Sequence, residues 1–282
     1  MKITGFIDEI DKGFEKELEI AKDLKMNYVE LRSINQKNIA DITLDEAIHI
    51  KRILDKKNIK VSSLASPIGK IKITDGNLNE HFEKFKHLVK LCEIFQTNFI
   101  RIFSFFMERN EKEKYEKKVI EEFSKYLQYI ENKNITLLHE NEKNIFGDDI
   151  SSCLKLATTL NHPQFKLIYD SANFVQVGEN PLKALETLEP YIKYYHLKDA
   201  HFYSPNNILI GDGDGEIKEI LKKLQEKNYD GFLSLEPHLT NFSTLQSLEI
   251  ESIENRDGQL KDGEKAFRKS YQRLQDILNR DF

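Results

Sequence analysis

Tryptophan is absent, and cysteine occurs only twice and proline six times in 282 residues. Cys92 and Cys153 lie far apart in helix-like contexts. They read as reduced core thiols of a cytoplasmic protein and exclude a disulfide framework. No apolar stretch approaches the roughly 18 residues a membrane helix needs. The opening MKITGFIDEI lacks the long apolar stretch and small-residue cleavage site of a secretory leader and reads as a strand. Basic excess is missing too: 42 Lys and Arg against 47 Asp and Glu give −5. Nucleic-acid binders usually carry the opposite balance, so neither nucleic acid nor membrane is an expected partner. No dinucleotide fingerprint follows the first strand, since GFIDEIDKG lacks the glycine spacing. GDGDGEI at 211–217 begins like a calcium loop, but the sixth position from Asp212 is Ile217, where glycine is required. A flexible turn into a helix is expected there instead.

What is present is an ordinary globular composition, 39% hydrophobic and 32% charged, with enough apolar residues for a real core. One phrase recurs along the chain: a charged amphipathic stretch, a short Asn/Gly/Lys turn, then a β-rich apolar run. It appears as AKDLKMNYVELR, LDKKNIKVSSLAS, CEIFQTNFIRIFS, IENKNITLLHE, TLNHPQFKLIYD, LEPYIKYYHLKD and LQEKNYDGFLSLE. With KITGFIDE these give eight strand candidates. Helix-period segments are read at 14–25, 44–56, 78–95, 113–132, 150–160, 181–188, 217–226 and 264–278. In the third, Phe82, Phe85, Leu88, Val89 and Cys92 fall at three- and four-residue steps and form one buried stripe. NFIRIF and FKLIY are almost continuously apolar, as parallel strands covered on both faces should be. Eight β-then-α units in this length point to a single-domain α/β fold, a (β/α)8 TIM barrel spanning 1–282. The segment 239–262 is long for a loop before the C-terminal helix; it is read equally as a cover for the barrel mouth or a partner chain and as a simple surface excursion.

In such a barrel, chemistry sits where strands end. The last four strand candidates end in Glu140, Asp170, His196 and Glu236. A lone strand-end carboxylate is usually a helix cap. Four such residues on consecutive strands converge on one place, and three carboxylates there repel unless they are protonated or share a cation. One divalent metal ion resolves that. An oxygen-rich set with one imidazole suits Mn²⁺ first, with Mg²⁺, Co²⁺ or Zn²⁺ as substitutes. His139 alternates away from Glu140 and should face the helices. His201 and His238 lie just past strand ends, within reach of the mouth. His49, His81, His87 and His162 are read as solvated. Arg32, Arg101 and Lys198 read equally as anion contacts or internal ion-pair partners.

HENEKNIFGD, YDSANFVQVGENP, PYIKYYHLKDA, GDGDGEI and YDGFLSLEPHL resemble the strand-five to strand-eight blocks of the xylose isomerase-like TIM-barrel superfamily, also called sugar phosphate isomerases/epimerases; ASPIGKI and IRIFSFF match a subgroup of it. The resemblance implies that Glu140, Asp170, His196 and Glu236 are the metal ligands and that Glu140 and Glu236 are also the catalytic acid/base pair. It makes Glu142 and Lys198 candidate substrate contacts. Many epimerases of the family carry a histidine three residues after the strand-six aspartate. Here that residue is Asn173, whose amide hydrogen-bonds a hydroxyl but shuttles no proton. With His238, these residues make up the expected substrate-binding set. The implied activity is a metal-dependent sugar or sugar phosphate isomerase/epimerase, deprotonating next to a carbonyl through a stabilised enediolate. A sugar or cyclitol dehydratase or lyase shares the first half of that mechanism and stands as the alternative. The expected partner is a small sugar-derived substrate, and the expected assembly a homodimer or homotetramer.

Overall fold

The computed structural model describes residues 1–240 and 262–280. All eight strand candidates are strands: β1 Lys2–Gly5, β2 Tyr28–Leu31, β3 Lys60–Leu64, β4 Phe99–Ile102, β5 Thr136–Glu140, β6 Phe165–Asp170, β7 Ile192–Leu197 and β8 Phe232–Leu235. Their order is β1-β8-β7-β6-β5-β4-β3-β2, parallel throughout. A parallel bridge between Phe6 and Glu30 brings β2 back to β1, so the sheet forms a TIM barrel.

The helices are α1 Phe14–Asp23, α2 Leu44–Lys56, α3 Leu78–Phe95, α4 Lys112–Ile130, α5 Ile150–Leu160, α6 Ser171–Gln176, α7 Pro181–Leu188, α8 Ile217–Glu226 and α9 Gly263–Arg280. Periodicity locates all of them except α6, which is too short to show it. Local chemistry sets several ends. Thr43 accepts from the Glu46 N–H while the Glu46 carboxylate accepts from the Thr43 N–H, a capping box that starts α2. Asn180 caps α7 with Pro181 at its first turn. The expectation for 239–262 falls almost entirely on residues outside those described.

Outward-facing strand residues such as Val29, Leu31, Leu137, Leu167 and Leu233 join the apolar faces of the helices in one continuous core. Inside the barrel, Leu138, Ile168 and Tyr194 pack with Phe99 and Phe232 as a separate plug. His139 faces outward as expected: Nε2 bonds Ser104 Oγ at 2.9 Å and the ring packs on Phe123 and Phe165. Cys92 and Cys153 are buried free thiols, and burial pushes both well up from the usual thiol range. No helix among the described residues is long and apolar enough to cross a membrane.

Two expectations about helical histidines are corrected. His81 is buried, and its Nε2 accepts from the Gly69 N–H at 2.6 Å; His87 Nε2 lies 2.7 Å from the Ile42 carbonyl oxygen. The Gly69 N–H and the Ile42 carbonyl lie in two different loops and need partners, and these rings supply them.

Glu17 on α1 is buried, and its Oε2 has no hydrogen-bond partner among the described residues. Burial, reinforced by Asp8 and Asp11, pushes its carboxyl up to about 9. A carboxyl raised above its unfolded value favours folding below that value and loses this contribution as pH climbs toward the folded one. Glu17→Gln is expected to match the parent near pH 4 and to exceed it at pH 8 by about 1–3 kcal/mol, the cost of a buried unsatisfied polar group. Urea denaturation at the two pH values checks this; a gain of equal size at both would contradict it.

Candidate active site

Strand alternation assembles the site. Side chains two residues apart on a strand share a face. Above the plug residues Leu138, Ile168 and Tyr194 therefore come Glu140, Asp170 and His196. Register aligns them, with Asp170 opposite His196 and His196 opposite Ser234, two residues before Glu236. One ligand atom from each of Glu140, Asp170, His196 and Glu236 lies within 4.8 Å of all the others, and all four residues are buried. His196 Nδ1 is 2.9 Å from Glu140 Oε1 and 3.3 Å from Glu236 Oε2. The four residues expected from the sequence are thus brought together.

Asp170 combines the bland and the sharp reading of a strand-end aspartate. Its Oδ1 caps α6 by accepting from the Asn173 N–H at 3.0 Å. Its Oδ2 faces the cluster, 2.8 Å from Lys198 Nζ. Asn141 locks β5 to β6 here: Nδ2 donates to the Asp170 carbonyl and Oδ1 accepts from the Asp170 N–H. Asn173 Nδ2 then donates to the Asn141 carbonyl at 2.7 Å.

Two buried arginines hold the outer oxygens of the two glutamates. Arg101 Nη1 donates to Glu140 Oε2 at 3.1 Å, and Arg32 Nη1 donates to Glu236 Oε1 at 3.1 Å. Both guanidiniums lie over the Phe6 ring, at 4.5 Å for Arg32 and 5.3 Å for Arg101. The other oxygens, Glu140 Oε1 and Glu236 Oε2, face His196. Arg32 also donates to both oxygens of Asp8 and to Glu9 Oε1. Glu9, Glu236 and His238 form a second metal-like grouping, but the Arg32 guanidinium bonds all three and is its cation.

These charges set the protonation states. Burial pushes Glu140 up, but His196 and Arg101 outweigh it and hold the carboxyl at about 2. Burial also opposes Glu236, yet Lys198 and the hydrogen bonds of His196 and His238 keep it well below the usual carboxylate range. Burial raises Asp170 to about 6 against the pull of Lys198. Burial lowers His238 to about 4, so it is neutral at pH 7. His196 is held well above its ordinary value: burial pulls down, but Glu140 and Glu30 prevail.

The donor chemistry fits a divalent ion. Asp170 Oδ2 and Glu236 Oε2 are buried carboxylate oxygens that the Lys198 ammonium faces at 2.8 and 3.6 Å. Three carboxylates and an imidazole in one buried place are the ligand set of a hard or borderline cation.

The cavity above the cluster is lined by Glu140, Glu142, Asn173, Lys198, Glu236 and His238, together with Arg32, Arg101, Lys70 and Phe103. Glu142, expected on the strand face of Glu140, lies past the strand end and pairs with Lys70 at 2.7 Å. Lys70 sits 4.5 Å over the Phe103 ring. The loop carrying it needs Gly69: φ is +90°, and a Cβ there would lie 1.7 Å from the Phe103 carbonyl oxygen. His238 reaches the mouth, 3.1 Å from Glu236 Oε1. His201 does not line the cavity; it is exposed and pairs with Asp214. The 211–217 segment is a turn, as expected, but an anchored one: the N–H groups of Gly211, Gly213 and Gly215 all donate to Asp199.

A family model described as a xylose isomerase-like TIM barrel matches residues 18–275. The chain belongs to that family. A relative, the 3-dehydroshikimate dehydratase of Bacillus anthracis, is 24% identical over 235 residues, 76% of this chain and 77% of that one. Among solved structures, the IolI protein with a bound zinc atom superposes with a TM-score of 0.79 at 16% identity, covering 100% of this chain and 99% of that one. A D-tagatose 3-epimerase-like protein gives 0.73 at 14% identity over 100% of both chains. At these identities the two structures share the fold with this family member. The named relatives thus include both a dehydratase and an epimerase-like protein.

The ends of the last four strands announce the clustered residues in the sequence; the first four strands do so less plainly. Arg32 and Arg101 stayed ambiguous, and Asp8, Glu9, Glu30 and Lys70 went unremarked. The signal was available: applying the two-residue alternation to YVELR places Glu30 and Arg32 inside the barrel, as it does Arg101 in FIRIF.

Proposed function

We propose that the chain is a metal-dependent enzyme that removes a proton next to the carbonyl of a small anionic hydroxy ketone, with loss of water as the outcome. The observation that carries the anionic substrate is the cation content of the mouth. Arg32, Lys70, Arg101 and Lys198 line it together with Glu140, Glu142 and Glu236, above Asp170. A divalent ion would add an excess of positive charge to a mouth whose four cations already face these four carboxylates, Arg32 being shared also with Asp8 and Glu9. A substrate carboxylate would offset that excess. A neutral ketose would be recognised through hydroxyl acceptors instead.

Glu140, Asp170, His196 and Glu236 would hold the ion, which would polarise the substrate carbonyl and acidify the neighbouring C–H. Glu140 and Glu236, each with one oxygen facing His196 Nδ1, are assigned the proton transfers. Each keeps one oxygen on an arginine, which fixes the other toward the cluster. Lys198, facing both Asp170 and Glu236, is placed to give a proton to the departing hydroxyl. Lys70 and Glu142 orient the charged end of the substrate, and Asn173 and His238 contact its hydroxyls. The lyase outcome draws support from the dehydratase named among the relatives. Epimerisation is the second reading, because two carboxylates flanking one centre suit removal and return of a proton on opposite faces.

The test is incubation with Mn²⁺ and either 3-dehydroshikimate or a panel of neutral ketoses, in D₂O. Release of water with growth of an aromatic absorption, and no turnover of the ketoses, is expected. Epimerised ketose carrying deuterium at one carbon would replace the lyase reading with the epimerase.

A further inference from the structure

Glu30 lies inside the barrel two residues before Arg32, and it is 1% exposed. Barrel interiors are usually filled by branched apolar side chains, and a buried carboxylate is costly unless its oxygens are satisfied. Oε2 accepts from Ser234 Oγ at 2.6 Å and from the Tyr194 hydroxyl at 2.8 Å. A third group faces the same oxygen: His196 Nε2 at 3.4 Å. That nitrogen makes no hydrogen bond among the described residues. The opposite ring nitrogen, Nδ1, faces Glu140 and Glu236. Phe6 and Tyr194 hold the imidazole edge-to-face, with ring centroids at 5.1 and 5.8 Å, which fixes its plane.

We propose that Glu30 is a positioning residue that keeps the Nε2 proton on His196, so that Nδ1 presents its lone pair to a bound cation. A neutral imidazole carries one N–H, and the partner of one nitrogen decides the role of the other. With Glu140 and Glu236 taken up by a bound cation, Glu30 is the carboxylate left facing the ring, and because a carboxylate only accepts it would select the tautomer with hydrogen at Nε2. The Ser234 and Tyr194 hydroxyls, donating to Oε2, hold the carboxylate in place beneath the ring. Glu30 does not line the cavity, so it acts through His196. The inference rests on His196 being a metal ligand.

The experiment titrates Mn²⁺ into the full chain, stripped with chelator, and counts free ion by electron paramagnetic resonance. Glu30→Gln is expected to bind about 10–100-fold more weakly than the parent. Tyr194→Phe removes a donor to the same oxygen but leaves the carboxylate, and is expected to keep the parent affinity. In Zn²⁺-loaded protein with ¹⁵N-labelled histidine, the parent should show a protonated Nε2 at His196, and Glu30→Gln should lose that signal to exchange. If Glu30→Gln does not fold, Glu30→Asp, which withdraws the oxygen, carries the same comparison. A parent that binds Mn²⁺ beside a Glu30 variant of equal affinity would overturn the proposal and leave the metal site standing. Equal losses in the Glu30 and Tyr194 variants would reduce Glu30 to a packing role and also overturn it. A parent that binds no ion would remove the ligand reading, and this inference with it.

Discussion

Arg32→Met is expected to destabilise the protein by about 3–5 kcal/mol, the range for breaking a buried ion pair from one side. Arg32 is 1% exposed and donates to Asp8, Glu9 and Glu236. Methionine fills much of the volume but removes the guanidinium that these carboxyls share. Glu9 already shows the direction: burial pushes its carboxyl up to about 8 even with Arg32 beside it. Without Arg32, the folded state would favour the protonated form of Glu9 still more strongly. Its folded value would rise further above the unfolded one, so the deficit grows as pH rises above the unfolded value and shrinks as pH falls toward it. Thermal denaturation should therefore show a melting temperature lower by on the order of 10 °C at pH 7.5, with a smaller gap at pH 5. A deficit that widens on acidification would contradict this account of the cluster.

Glu140→Gln and Glu236→Gln are each expected to lower turnover by at least about 10²–10⁴-fold, the usual worth of positioned acid–base catalysis. Each change also weakens one ligand. Asp170→Asn separates the two effects. It weakens a ligand, but no proton transfer is assigned to Asp170. At saturating Mn²⁺ its turnover should recover in part, whereas the two glutamine variants should stay inactive. Substrate affinity should change less than turnover, because lost transition-state interactions appear in kcat. Full activity in both glutamine variants would show that neither carboxyl moves a proton.

Most of the barrel was legible because its strands are short, apolar and separated by turn residues. FKLIYD and TLLHE each stop on the polar residue that enters the mouth, and the structure ends β6 and β5 there. The helix SANFVQ was not legible, since six residues cannot display a 3.6-residue period. Arg101 stayed ambiguous for a different reason. An arginine within an apolar strand reads equally as ligand contact or ion-pair partner until the strand beside it is known; β4 pairs with β5, and that adjacency puts Arg101 on Glu140. His81 was misjudged because a polar residue near the start of a charged helix looks solvated. Its burial depends on the loop at Gly69, twelve residues earlier, folding back onto it, which no local pattern announces.

The most direct measurement is an anomalous difference map from crystals grown with Mn²⁺, collected at the manganese absorption edge. One peak is predicted, in contact with carboxylate oxygens of Glu140, Asp170 and Glu236 and with Nδ1 of His196. A peak elsewhere, or none at saturating Mn²⁺, would contradict the claim that these four side chains were brought together to hold an ion.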